Sequence, residues 1–175
     1  MAAPIFPIIV PRSYFVYDNW PGNHLLLNHP ELAVTWVELT SDGAMLYVTK
    51  DRHKELEEVH GNLHRHAMSV LRQHSEGQLA THAKEVDGRT IFLGMMHADG
   101  LGSSRLLLLP ELQARFPGGF RIAIPDRSCG MVMPLGLPDE DVLGFTDMVN
   151  HCHEDAATPM LAGFHESRDF EVAQD

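Results

Sequence analysis

The chain has few cysteines, no basic cluster and no long uninterrupted apolar run, and each of these shortages argues against a particular class of protein. Its two cysteines, Cys129 and Cys152, belong to no CxxC motif, which indicates free thiols in a reducing compartment. The apolar start of the chain has no basic leader and is interrupted by Pro4, Pro7 and Pro11, which argues against a signal peptide and a membrane span. These shortages predict a cytoplasmic protein without a membrane partner.

Positive charge is also scarce. The chain has 13 Lys and Arg against 24 Asp and Glu, and its formal net charge is −11 at pH 7 with neutral His. Because contacts to phosphate groups require clustered Lys and Arg, we expect no nucleic-acid partner. We assign the acidity to solubility, and we expect the 12 His to reduce the negative charge near about pH 6.

The apolar residues are ordinary in number, and their periodicity alternates between that of strands and that of helices. Paired strands are predicted at 32–39 and 44–49, at 78–86 and 89–96, and at 120–124 and 130–135; helices are predicted at 51–75, at 110–116 and from 138. The order strand–strand–helix therefore occurs about three times. It predicts an α+β fold, in which an antiparallel sheet is covered by helices on one face. The predicted core consists of Trp36, Leu63, Val70, Phe92, Leu107, Ile122, Val132, Phe145 and Val149.

Residues 1–30 differ from the rest of the chain by their prolines and by large apolar side chains without an evident partner, such as Phe6, Ile8 and Trp20. We predict a Pro-rich N-terminal arm over residues 1–30 and a single α+β domain over residues 31–175. The apolar arm needs cover from the domain or from a second copy of the chain. The sequence therefore predicts a homo-oligomer formed through the arm or through an open sheet edge.

Four stretches of the sequence are similar to segments of a known protein family. They read AVTWVELTSDGAMLYVTKDRHKELEEVHGNLHRHAMSVLRQ, SSRLLLLPELQARF, GGFRIAIPDRSCGMVM and HEDAATPML. Together, over roughly residues 31–172, they resemble the YtpQ-like bacterial family, which is a domain of unknown function. The resemblance implies a bacterial cytosolic α+β domain and supplies no catalytic residues. The histidines of the predicted helix 51–75 are a departure from the family pattern.

That helix carries the first candidate site, because His53, Glu57, His60 and His64 lie along one line. His60 and His64 have the i, i+4 spacing with which two imidazoles reach one metal ion, and Glu57 with His60 forms a Glu-x-x-His unit. A complete motif such as HExxH is absent. The alternatives are therefore a metal site, a helix that responds to pH or metal, and a polar rim beside the apolar stripe of the helix.

The loop from Asp99 to Arg105 is the second candidate. Its candidate ligand-binding residues are Gly100, Gly102, Ser103, Ser104 and Arg105. Backbone N–H groups, hydroxyls and the guanidinium of such a loop can converge on a small anion. The loop lacks the Walker lysine, the dinucleotide fingerprint and a complete G-x-S-x-G elbow, so we predict no cofactor. The structural alternative is an ion pair between Asp99 and Arg105.

These observations favour a non-catalytic binding or regulatory domain over an enzyme. No general base is recognisable for Ser103, Ser104 or Cys129 as a nucleophile. The alternative is a hydrolase-like or metal-dependent enzyme with a site near Asp99–Arg105. Convergent polar groups in a pocket would favour the enzyme, and a flat apolar patch would favour an interaction module.

Overall fold

The computed structural model of the chain describes residues 3–16 and 20–174. Within these residues, four α-helices and two antiparallel sheets confirm the predicted α+β class. The chain forms two compact units, one of which comprises Met1–Gly77 and Val172–Asp175, and the other Gln78–Glu171. We call them the first and the second unit. This grouping differs from the predicted arm over residues 1–30 and single domain over residues 31–175.

The first unit is a small sheet with two helices. Its elements are β1 Ile5–Pro11, β2 Leu25–Leu26, β3 Leu32–Leu39, β4 Met45–Tyr47, α1 Lys50–His60 and α2 Leu63–His74, with a 3-10 helix at Arg12–Phe15. Strand β3 is central, because β1 pairs with one of its edges, and β2 and β4 pair with the other.

The start of the chain is a strand of this sheet, which is why the predicted boundary at residue 30 does not appear. Strand β1 pairs antiparallel with β3 along its whole length, from Ile5 opposite Glu38 to Pro11 opposite Leu32. The side chains from Ile5 to Val10 are all buried. Since β1 is an edge strand, it has room for Pro7, which has no N–H to donate to a second neighbour.

The predicted helix 51–75 is two helices. The hydroxyl of Thr49 caps α1 by accepting from the Arg52 N–H, and the side chain of Asn62 caps α2 by accepting from the Arg65 N–H. Between them, Gly61 has a φ of +74°, a left-handed conformation that side chains disfavour and that ends α1. Val59, near the end of α1, is 75% exposed.

The second unit is a five-stranded antiparallel sheet in the order β5-β6-β8-β7-β9. Its elements are β5 His82–Val86, β6 Arg89–Met95, α3 Leu109–Arg115, β7 Phe120–Asp126, β8 Cys129–Pro134, α4 Asp139–Glu154 and β9 His165–Glu166, with 3-10 helices at Ser103–Leu107 and Ser167–Phe170. The turn between β5 and β6 has positive φ at both Asp87 and Gly88, as the hairpin signal predicts.

The two faces of this sheet have different covers, because successive residues of a strand point to opposite sides. Met131 and Met133 of β8 pack with Phe145 and Val149 of α4. Gly130, which precedes Met131 on the strand, lies against Leu106 of the 3-10 helix Ser103–Leu107. Eight of the nine predicted core residues are buried, and Val70 is half-buried. No helix in the described ranges combines the length and the apolar composition that crossing a bilayer requires.

Candidate functional site

The loop from Asp99 to Arg105 contains an ion pair between a buried guanidinium and a partly exposed carboxylate. The Arg105 guanidinium donates to both carboxylate oxygens of Asp99, at 3.1 Å from Nη1 to Oδ1 and at 2.7 Å from Nη2 to Oδ2. Arg105 is only 1% exposed. A bidentate pair in this position satisfies the charge of the guanidinium within the protein. This geometry is the structural alternative that the sequence left open.

The other candidate residues of this loop are also turned inward. Gly102, Ser103 and Ser104 are buried and Gly100 is half-buried. The Ser103 hydroxyl donates to the carbonyl of Arg127. A Cβ added to Gly102 would lie 2.1 Å from two backbone carbonyl oxygens, those of Met95 and Ser128. The loop therefore packs against backbone on several sides, and its glycine is needed for close approach.

Cys129, the other nucleophile considered, lies next to this region and is buried. Burial raises the pKa of its thiol to about 12, and Cys152 and Asp126 nearby act in the same direction. The thiol is therefore protonated at neutral pH, whereas a nucleophilic cysteine needs the thiolate.

The four residues predicted to lie along one line as metal ligands are divided by the break between α1 and α2. His53 and Glu57 face each other on α1, with 3.7 Å between Nδ1 and Oε2. His60 points elsewhere and stacks on His66, with ring centroids 3.9 Å apart. His60 and His64 lie on different helices, so the i, i+4 argument for this pair does not apply. No group of three or more metal-ligating side chains occurs among the described residues.

Three residues of that line, His53, Glu57 and His64, meet instead in a pocket of the first unit. The pocket has a volume of about 540 Å³. Its walls are formed by Phe15, Trp20, Gly22, Asn23, His24, Leu25, Trp36, Lys50, His53, Glu57, Asn62 and His64. Both tryptophans of the chain are in this set. A concave site with aromatic walls and a few polar groups is typical of small-molecule binding.

The inner part of the pocket is built around Trp36, which is 3% exposed and comes from the central strand β3. The rings of His53 and His64 lie 4.9 Å and 6.1 Å from its ring, measured between centroids. His53 and His64 come from α1 and α2, so the helix break brings both imidazoles to one indole. The side chain of His53 is only 12% exposed.

The outer part is a second aromatic group around Trp20. Its ring lies 4.9 Å from that of Phe15 and 4.8 Å from that of Tyr47, both in edge-to-face geometry. Phe15 in turn stacks on His24, with 3.9 Å between centroids. Edge-to-face and stacked rings stabilise each other beyond the area they bury, so these contacts hold the wall in place.

Helix α1 gives the pocket a polar wall. Lys50, His53 and Glu57 are spaced i, i+3, i+7 and therefore share one face of the helix, over roughly 10 Å at 1.5 Å per residue. The backbone N–H of Lys50 donates to the carbonyl of Pro21 at 2.8 Å, which fixes the start of α1 beside the wall segment 20–25. A cation thus stands at one end of this wall and a carboxylate at the other.

Two histidines of the pocket, His24 and His64, have a pKa below the usual value, which favours the neutral imidazole at pH 7. Burial lowers the pKa of His64. Partial burial, together with the positive charges of Arg12 and Lys50, lowers the pKa of His24. Three lining side chains, Trp20, Trp36 and His64, also have a buried ring nitrogen without a hydrogen-bond partner among the described residues. Such unsatisfied groups are uncommon and cost free energy, and because these three nitrogens have almost no accessible surface, they do not face the open part of the pocket.

Several pocket residues were not singled out from the sequence, notably His24, Lys50 and Asn62. The alignment of Lys50 with His53 and Glu57 is a helical spacing that the sequence does contain. The approach of the segment 20–25 to β3 and α1 is a long-range contact without a local signal. Comparison of the chain with protein-family models, with curated proteins and with solved structures finds no match.

Proposed function

We propose that the chain is a non-catalytic binding protein and that the pocket of the first unit receives a small molecule. The observation that carries this proposal is the convergence of both tryptophans, the His53–Glu57 pair and His64 on one cavity. The size of the cavity, about 540 Å³, is within the range of ligand pockets.

A binding role is preferred over catalysis because of the residue types that line the cavity. Among the described lining residues there is no serine, threonine or cysteine that could act as a nucleophile. The enzymatic alternative placed near Asp99–Arg105 loses support, since the Arg105 guanidinium is already hydrogen-bonded to both carboxylate oxygens of Asp99. Convergent polar groups also suit an enzyme, so acid–base chemistry at His53 and Glu57 is the outcome against which the proposal is tested.

The test uses tryptophan fluorescence, because both tryptophans line the pocket and the signal is therefore specific to it. A set of planar aromatic fragments is titrated into the whole chain, and each fragment is then recovered and analysed by chromatography. We expect saturable one-to-one quenching by some fragments and their recovery unchanged. Conversion of the bound fragments would establish an enzyme, and the absence of any saturable quenching would refute a ligand site.

A pocket-filling variant makes the test specific. Asn23 is a lining residue of the pocket, and Asn23→Tyr adds a ring at this position without adding a tryptophan. We expect it to weaken fragment binding at least about tenfold. Asn28→Tyr, at an exposed position outside the lining, is the matched control and should leave binding unchanged.

We also propose that the chain belongs to the YtpQ-like bacterial family, is cytoplasmic and forms a homo-oligomer through a sheet edge. What favours the edge is β5, which ends the second sheet and whose five residues are all exposed. Exposed edge strands present unpaired backbone groups to a second chain. Light scattering should then give the mass of a dimer or larger assembly, and a monomer would contradict this part of the proposal.

A further inference from the structure

The polar groups of the pocket are distributed unevenly, and their distribution limits the kind of ligand. Lys50 stands at the end where His24 also lies, and the charges of Lys50 and Arg12 both act on the His24 ring. Two cationic side chains are therefore near that end. Lys50 has no carboxylate partner among the described residues, so its ammonium is available to an anion.

The opposite end of the α1 wall is not equally open to a cation. The Glu57 carboxylate lies 3.7 Å from Nδ1 of His53, and that imidazole provides it with a polar neighbour inside the pocket. Aromatic walls often bind cations through their π faces. Here, however, the aromatic group around Trp20 includes Phe15, which stacks on His24 at the cationic end. A cationic ligand in contact with these rings would be repelled by Lys50.

The aromatic walls select for a flat apolar body. Trp20 and Trp36 belong to separate ring clusters of one cavity, and each cluster is held by contacts with further rings. Planar ligands gain from stacked or edge-to-face contact with such rings, in addition to the area they bury. The cavity is too large for inorganic phosphate alone to fill, since about 540 Å³ corresponds to a multi-ring molecule.

We propose that the pocket binds a planar aromatic molecule carrying one anionic group, an aryl carboxylate or an aryl phosphate. The ring lies among Phe15, Trp20 and Trp36, and the anion lies at Lys50 and His24. This inference rests on the proposed binding function and specifies the ligand class. A charge-assisted hydrogen bond from the Lys50 ammonium is the interaction that separates an anionic from a neutral ligand of the same shape.

The experiment compares ligands with one ring system and different charges. 1-Naphthoate and 1-naphthyl phosphate are the anionic probes, 1-naphthalenemethanol is the neutral one and 1-naphthylmethylammonium is the cationic one. Cyclohexanecarboxylate tests the anion without the aromatic ring. Dissociation constants are measured with the whole chain at pH 7 by tryptophan quenching and by calorimetry. We expect at least one anionic naphthalene to bind about tenfold more tightly than the alcohol, with the ammonium and the cyclohexane acid weaker still.

Two lysines of α1 provide the matched variants. Lys50 and Lys54 are both exposed and lie on the same helix, but only Lys50 lines the pocket. Lys50→Gln should weaken binding of the anionic probe about tenfold and leave the alcohol unchanged, while Lys54→Gln should change neither. Because both side chains are exposed, both variants should fold, and thermal melts confirm it before the titrations.

Three results would overturn the inference. One is equal or tighter binding of the alcohol or the ammonium, and another is an equal loss of affinity in Lys54→Gln and Lys50→Gln. The third is failure of all the naphthalenes while other planar fragments still quench the tryptophans; the pocket would then be a ligand site of a different class. If no fragment of any kind quenches, the proposed function fails as well, so the two failures are distinguishable. Preference for 1-naphthoate or for 1-naphthyl phosphate identifies which anion the site takes.

Discussion

The Asp99–Arg105 loop and the pocket of the first unit both place polar side chains next to apolar ones, but the surroundings of those polar side chains differ. In the loop, the buried guanidinium is paired twice with one carboxylate, and Ser103 donates to a backbone carbonyl. In the pocket, the indole nitrogens of Trp20 and Trp36 have no partner among the described residues. In the loop, Ser104 Oγ and Arg105 Nε likewise lack a partner among the described residues, so unsatisfied atoms alone do not separate the two regions. What separates them is that the loop packs against backbone, whereas the pocket lining surrounds an open volume of about 540 Å³, which is typical of a binding site.

The largest expected effect is the loss of stability when the ion pair of the loop is broken. Asp99→Asn removes the charge that balances Arg105 and leaves a guanidinium that is 1% exposed. We expect a loss of about 3–5 kcal/mol in the free energy of unfolding, measured by urea melts, because breaking a buried pair leaves an uncompensated charge. Arg105→Ala should likewise lower the melting temperature in every buffer, with or without phosphate.

The control for this prediction is an exposed ion pair on α1. Nη1 of Arg52 lies 2.9 Å from Oε2 of Glu55, and the side chain of Glu55 is 64% exposed. Glu55→Gln should cost less than about 1 kcal/mol, as surface pairs do. If wild type gained specific thermal stability from phosphate and Arg105→Ala lost only that gain, the loop would be an anion site. The structural role assigned to the loop would then be wrong.

The second effect tests the packing of the same loop. Gly102→Ala would place a methyl group 2.1 Å from the carbonyl oxygens of Met95 and Ser128, so the backbone must move. We expect a loss of about 2–3 kcal/mol in urea melts. Gly118→Ala is the matched control, because nothing lies within 4 Å of the added atom. Equal costs for the two variants would show that the loop is less constrained than its geometry indicates.

The third effect concerns the polar wall of the pocket, where substitutions should change the stability of the protein only slightly. Lys50→Gln and Glu57→Gln change exposed side chains whose proposed use is in binding, so each should alter the free energy of unfolding by less than about 0.5 kcal/mol. The measurement is the same set of urea melts. A loss comparable to that of Asp99→Asn would mean that these side chains serve the fold of the first unit instead.

The smallest effect is a pH dependence. Because burial lowers the pKa of His64, the unfolded chain binds a proton there at a higher pH than the folded chain does. Stability is therefore lost as the pH falls from about 6.5 towards the lower folded-state pKa of His64. His64→Gln should show a smaller loss between pH 7 and pH 5, and the exposed His151→Gln should not. Identical pH profiles for wild type and His64→Gln would contradict the burial of this imidazole.

Local signals predicted much of the fold. The Asp87–Gly88 turn lies at positive φ between β5 and β6, and α4 begins directly after Pro138 and packs through Phe145 and Val149, as its spacing indicates. In each case a few adjacent residues determine the structure. The same is true of the alternation by which Met131 and Met133 face α4.

Other features depend on contacts that no local pattern records. Pro7 makes residues 1–30 resemble a loose arm, yet pairing with β3 supplies every neighbour that β1 needs. An apolar stripe continues past Gly61, and only the backbone conformation of that glycine separates α1 from α2. The predicted histidine line assumed one continuous helix, whereas His53 and His64 approach Trp36 from different helices.

A single heteronuclear NMR titration tests the contrast between the two regions most directly. The chain has two tryptophans, so its indole N–H signals report on the pocket, and the backbone amides of Gly100, Gly102 and Arg105 report on the loop. We predict that 1-naphthoate shifts the indole signals saturably and that neither naphthoate nor inorganic phosphate shifts the three loop amides. Saturable shifts of the loop amides with phosphate, beside indole signals that no planar probe moves, would contradict the account.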